Sequence, residues 1–360
     1  MFIYGGNMKK QKTFLKNKQL LGFYLVVGVL FSVISGDDFM PGYVTHYIFG
    51  RDMYEKLNDP VLKNNLYKNR AVYALGHQGP DIFFYYLPAY VLHGHNLGDM
   101  AHTENTGAFY AALLESRSIF KKPEDLQIAN AYLEGFLGHY ILDSICHPFI
   151  YGRTHYKKDD RGYFSRHAYL ETEIDTSLLE LKYHRRRADF HMENTIMLTP
   201  RQKWIVAHML HYAYQHTYHG LFVSRYTIFM AIFATQLGFR ILYDGTGQKK
   251  VLFRFAEKHF LGYPVFSPLI ANDSLLFRTD PFNMQHKKWT NPWDSSITSK
   301  ESFFDLYKKS EEKYLHCFTE LSALLKERIH SPKAALLTEQ FLKDYGNASF
   351  HSGLSSELPS

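Results

Sequence analysis

His139, Asp143 and His147 recur every four residues between Gly138 and Pro148, among Tyr140, Ile141, Leu142 and Ile145. Positions four apart on an α-helix are neighbours, so three groups that bind metals share one stripe of an apolar segment. His139 and Asp143 can close on one ion. His147, a further turn on, is rotated by about 80° from His139 and is placed to face the same cavity toward a different ion. A second stretch repeats the geometry with His167 and Glu171, with Asp175 a turn beyond and Leu170, Ile174 and Leu178 as the core-facing stripe. Two helices that each offer His-x-x-x-carboxylate can hold two divalent ions between them. One such pair alone is commonly a surface hydrogen bond or a capped core histidine. Two pairs on apolar faces are harder to explain by packing, because buried charge is costly unless paired or metal-bound.

Further candidates lie upstream. Asp81 sits in a Gly79-Pro80-Asp81 turn between apolar segments, His93, His95 and His102 follow, and His46 precedes them in Thr45-His46-Tyr47. The two cysteines, Cys146 and Cys317, make neither a disulfide framework nor a zinc ribbon, so any metal must sit on histidine and carboxylate. Cys146, beside His147, reads as helix packing. His208, His211, His216 and His219 scatter round their helix with no carboxylate beside them and read as packing and surface.

These groups need a helical scaffold. The chain has 360 residues, 46% hydrophobic and 16% aromatic, which excludes a disordered protein and supports a large core. The formal charge of +6 is interspersed, and the dense run His184-Arg185-Arg186-Arg187 reads as a solvated helix face, with phosphate or membrane contact as the minority reading. Periodicity of 3.6 predicts helices near 107–120, 125–147, 165–183, 202–243 and 300–327. Pro148 is expected to stop the second of these, and Thr298-x-x-Glu301 to cap the last as a capping box. Tyr226 to Phe239, fourteen uncharged residues, is too short to span a bilayer and reads as a buried helix. Trp289 and Trp293 read as core anchors. The stretch from Gly346, rich in Ser and Gly, is expected to be disordered. The fold class expected is all-α, a multi-helix bundle with the metal cluster between helices and a C-terminal helical extension.

The ordered set Thr45-His46-Tyr47, Gly79-Pro80-Asp81, His102, Gly138-His139-x-x-x-Asp143-x-x-x-His147-Pro148 and His167-x-x-x-Glu171-x-x-x-Asp175 resembles the zinc-dependent phospholipase C family of bacteria, whose fold is shared with single-strand-specific zinc nucleases. The segment from Asp280 to Tyr307 resembles the C-terminal part of intracellular-type members. The resemblance implies two or three zinc ions. Asp81, His102, His139 and Asp143 would hold one, His147, His167 and Glu171 the second, and His46 with a bridging oxygen of Asp143 the third. Asp81 would orient or deprotonate the attacking water, and Asp175 or Glu173 would support His167. Two spacings depart from the family. His147 lies only four residues after Asp143, and His95 fits the usual distance from Asp81 better than His102, which is preferred because a helix pattern follows it.

The implied function is zinc-dependent hydrolysis of phosphodiesters, of phospholipase C type, on phospholipid with a transient membrane-surface contact. Nuclease or nucleotidase action on nucleic acid, and a non-catalytic zinc-stabilised binding module, are the alternatives. Residues 1–39 read as a signal-like leader, with five lysines in 9–18 before the apolar run Leu20 to Ile34, or as an over-extended gene start. Translation from Met40 would give a cytoplasmic protein, and removal of that Met would expose the Pro41 amine to the third ion. A genuine leader would make the protein secreted or membrane-associated. Residues 40–185 are then the zinc domain, 186–345 a C-terminal helical region and 346–360 a disordered tail.

Overall fold

The computed structural model describes residues 42–94, 96–157, 160, 162–270 and 279–356. The leader, Pro41 and His95 lie outside these residues. The chain is all-α. First come α1 (Tyr43–Lys56), α2 (Pro60–Lys68) and α3 (Arg70–Gly76), then a 3-10 helix, Gly79–Tyr85. α4 (Leu87–His93), α5 (Leu97–Thr103) and α6 (Thr106–Glu115) lead to α7 (Pro123–Arg153), the axis of the molecule. α8 (Tyr163–Tyr183), α9 (Pro200–Thr217), α10 (Arg225–Leu242) and α11 (Gln248–Phe260) follow, and α12 (Phe303–Lys326) and α13 (Pro332–Tyr345) close the helical series. Among the described residues the only named strands are β1 (Trp289–Thr290) and β2 (Thr298–Ser299), paired antiparallel. No described helix is long and apolar enough to cross a membrane.

α7 is 31 residues, about 46 Å of helix, and is buried on nearly every side from Ile128 to Tyr151. A helix buried all round must be enclosed by others. α3 and α12 pack along it, and α1, α8, α9 and β1 also touch it.

Four local expectations are corrected. Pro148 lies inside α7, which runs five residues past it to Arg153. Proline lacks an N–H, so the Ser144 carbonyl loses its helical donor, and burial by the surrounding elements carries the helix through. The 202–243 pattern divides into α9 and α10, because Gly220 at φ 81° turns the chain and Ser224 caps the second helix through Thr227. Thr298 belongs to β2, so α12 starts later, with the capping box formed by Ser302 and Asp305. Trp289 is 7% exposed and anchors in the core, whereas Trp293 is 40% exposed and stacks on Tyr156.

The segment 346–356 also differs from expectation, since it is packed rather than disordered. Ala348 bridges to Ser355, Phe350 is buried at 1% exposure, and the Asn347 side chain accepts from the Gly107 N–H. Its small residues serve close approach. A Cβ on Gly353, at φ 67°, would lie 2.6 Å from the Ser144 carbonyl oxygen and 3.1 Å from Pro148 Cγ. The segment thus packs against α7 at Ser144 and Pro148.

Candidate metal centre

The first helix has no side-chain cap of its own, because glycine precedes it at position 42. Asp175 of α8 replaces that cap, accepting from the backbone N–H of Val44 at 3.1 Å and of Thr45 at 2.8 Å, and from the Thr45 hydroxyl at 2.6 Å. It therefore clamps the turn that carries His46. Asp175 does not support His167. That part falls to Tyr163, one turn before His167 on α8, whose hydroxyl is 2.5 Å from His167 Nδ1. Glu173 instead accepts from the Thr279 hydroxyl.

Backbone carbonyls fix three further rings. His102 Nδ1 is 2.7 Å from the Gly98 carbonyl, His139 Nδ1 is 3.1 Å from the His77 carbonyl, and His147 Nδ1 is 2.9 Å from the Phe350 carbonyl. A carbonyl accepts, so each Nδ1 carries the proton and each Nε2 presents a lone pair. Those lone pairs converge. His139 Nε2 is 3.3 Å from His102 Nε2 and 3.2 Å from Asp143 Oδ2. His46 Nε2 is 3.0 Å from Asp143 Oδ1, and His102 Nε2 is 3.0 Å from Asp81 Oδ1. His147 Nε2 and His167 Nε2 are 3.3 and 3.2 Å from Glu171 Oε1. Gly79 holds the 3-10 turn of Asp81 against the His139 ring, since a Cβ there would come within 2.1 Å of it.

Acceptor facing acceptor is unfavourable unless a proton or a cation lies between them. Asp81 Oδ1, Asp143 Oδ2, His167 Nε2 and Glu171 Oε2 are buried and make no hydrogen bond among the described residues. The ligand atoms of three sets lie within 4.8 Å of one another: His46, His139 and Asp143; Asp81, His102 and His139; and His147, His167 and Glu171. Nitrogen and carboxylate donors in groups of three, sharing residues and with carbonyl-fixed rings behind them, fit divalent zinc. All eight residues singled out from the sequence come together here, and each is at most 5% exposed.

The electrostatics match a cation site. Burial raises the Asp143 carboxyl, but His139, His147 and His46 outweigh burial and hold it well below the usual carboxylate range. Glu171 is likewise raised by burial and brought down to about 2 by His167 and His147. At Asp81 burial prevails over His102, and its pKa is raised.

Other histidines stay apart. His93, half-buried, ends α4, and His208, His211 and His216 bond backbone carbonyls of their own neighbourhood. Cys146 is buried with Sγ 3.8 Å from the Ser310 hydroxyl, a packing position. A fourth set, His316, Glu320 and Asp344, lies between α12 and α13 at the surface. Sequence reasoning missed Phe350 and His351. His351 is 3% exposed and stacks on His102 with centroids 5.3 Å apart, and the Phe350 N–H donates to the His102 carbonyl. No spacing motif links them to the ligands, so only the fold reveals them. The cavity beside His46, Asp143, His147 and Glu171 is about 30 Å³, the size of a water.

Residues 45–220 match the family described as zinc dependent phospholipase C. This stretch belongs to the zinc-dependent phospholipase C family. The chain matches no curated protein and no solved structure. The zinc-dependent phospholipase C stretch takes in all eight candidate ligands and ends just after α9. α11, α12, α13 and the segment over the centre lie beyond it.

Proposed function

We propose that the chain is a zinc-dependent phosphodiesterase of phospholipase C type acting on phospholipid. Asp81, His102, His139 and Asp143 would hold one ion, His147, His167 and Glu171 a second, and His46 together with Asp143 a third. Bound zinc supplies charge against the phosphate oxygens and the leaving group and makes water acidic enough to serve as nucleophile near neutral pH.

The chain's own groups do the rest. Asp81, held by the 3-10 turn rather than by the central helices, orients the attacking water and receives its proton on a carboxylate oxygen. The carbonyls behind His102, His139 and His147 keep the ring tautomers fixed, so the donor set needs no rearrangement during turnover. Burial excludes bulk water and strengthens each charge interaction.

The observation that carries the reading is the sharing of Asp143, whose Oδ1 faces His46 while Oδ2 faces His139. The deciding experiment measures zinc per chain after purification without chelator, together with turnover of a chromogenic phosphodiester and of phosphatidylcholine. Zinc above one per chain, with turnover lost in Asp81→Asn while zinc is retained, supports the proposal. Bound zinc with no turnover of any phosphodiester would overturn it in favour of a binding module, and a preference for single-stranded DNA over phosphatidylcholine would overturn the lipid assignment.

A further inference from the structure

α11 is turned inside out. Its two buried residues are charged, Lys250 at 5% and Glu257 at 3% exposure, while Val251, Leu252 and Phe255 are 65–67% exposed and Phe260, at the end of the helix, is 83% exposed. By the helix period, Val251, Phe255 and Leu252 form one outward face. An apolar stripe of this kind normally faces a core. Here it faces away from one.

The polar residues explain the orientation. Glu257 accepts from the N–H groups of Phe266 and Ser267 and, at 2.6 Å, from the Ser267 hydroxyl, so its inward carboxylate ties the helix to the following 3-10 turn. Arg254 and Lys258 border the apolar face, and the one acid of the helix is the buried Glu257. The exposed surface of α11 is thus apolar and cationic together.

A second, independent observation lies beside the helix. A cleft of about 380 Å³ is lined by Lys250, Arg254, Arg153 and Arg166, against the two acids Glu173 and Asp280. The Lys250 ammonium lines this cleft, is buried, and makes no hydrogen bond among the described residues. The Tyr169 ring lies 5.9 Å from it. Burial, and then Arg254, lower the Lys250 pKa to about 8, against the smaller raising effect of Glu173 and Asp244. Across the width of α8 from this cleft, His167 and Glu171 face the metal centre.

We propose that α11 docks on the surface of an anionic lipid bilayer, with Val251, Leu252 and Phe255 entering the interface and Lys250 taking a lipid phosphate into the cleft. An amphipathic helix with an apolar face bordered by Lys and Arg is the form that lies in a membrane interface. Each cation near an anionic leaflet adds to that attraction, and salt screens it. The inference rests on the phospholipid reading only for its purpose, since docking is measured without turnover. α11 lies beyond the zinc-dependent phospholipase C stretch, so this surface belongs to the chain's own C-terminal part.

The test uses the full chain with vesicles of phosphatidylcholine alone and of phosphatidylcholine mixed equally with phosphatidylglycerol, read by co-sedimentation. The wild type is expected to partition onto the mixed vesicles and to be released as salt rises. Leu252→Ser combined with Phe255→Ser should lower partitioning by about tenfold or more, with turnover of a soluble chromogenic phosphodiester unchanged. Lys250→Met should lower partitioning severalfold on mixed vesicles and leave the weak binding to phosphatidylcholine alone as it was. Equal partitioning of the double variant and the wild type would overturn the inference. So would a wild type that binds neither vesicle but forms a dimer that the double variant abolishes, since a second copy would then cover the face. A wild type that docks yet hydrolyses no phosphodiester would support the surface and sink the enzyme reading.

Discussion

Asp143 Oδ1 lies 3.0 Å from His46 Nε2, which joins the first helix of the described chain to the central one at an atom that also lies 3.7 Å from His147 Nε2. The Asp143 carboxylate lies 3.0, 3.8 and 3.7 Å from His46, His102 and His147, one histidine from each of the three sets. Asp143→Asn should therefore lower zinc content by more than one ion per chain and abolish turnover. Elemental analysis of the purified variant checks this. Loss of a single ion would mean that the sets are independent.

Asp81→Asn should behave differently. With His102, His139 and Asp143 intact, zinc should be retained, and turnover should fall by roughly 10²–10⁴-fold, the span of general acid–base contributions. Zinc content and rate measured on the same preparation separate the two variants.

Removing zinc leaves buried acceptors facing one another. A chelator should lower the melting temperature by roughly 5–10 °C, as expected when a ligand bound well above its dissociation constant is withdrawn from a chain of this size. Re-addition of zinc should restore it, read by circular dichroism at fixed protein concentration.

Tyr163→Phe removes the hydroxyl against His167 Nδ1 without changing ring volume. Outer partners of this kind are worth about 10–100-fold in metal affinity. Competition with a zinc-binding dye should report a loss of that order at one site, with the melting temperature of the zinc-free protein nearly unchanged.

Glu134 is buried on α7 away from the centre, and burial raises its pKa to about 8, against the smaller lowering from Arg117. The native state thus holds a proton that the unfolded chain releases near the usual carboxylate value. Its contribution to stability is fully present below about pH 4.5 and is lost as pH rises through 8. Glu134→Gln should flatten the fall in stability between those values, by up to roughly 4 kcal/mol at the alkaline end. Urea midpoints at pH 5 and pH 9 for both proteins check the sign.

Much of the centre was readable before the fold. His139 with Asp143 and His167 with Glu171 stood out because a period of four places them on one helix face, and that relation survives any tertiary packing. Supporting groups were not readable in the same way. Asp175 looked like a further turn of the His167 stripe, yet two turns of drift carry it to the start of α1, and Tyr163 takes its place. Pro148 was misjudged because a helix-breaking preference of a few kcal/mol is small against the burial of an entire central helix. The segment 346–356 was misjudged because Ser and Gly signal disorder only when nothing nearby requires small residues. Phe350 and His351 reach the centre from about two hundred residues away in sequence, a distance over which no periodicity speaks.

The pairing of Pro148 with Gly353 has an evolutionary consequence. A carbonyl deprived of its donor and a residue without a side chain fit together, and neither is useful to the fold alone. In a family alignment the two columns should change in concert. Members without the closing segment should be free to carry any helix former at the proline position, and a chimaera that grafts the segment onto such a member should gain its seat only when the proline is grafted too.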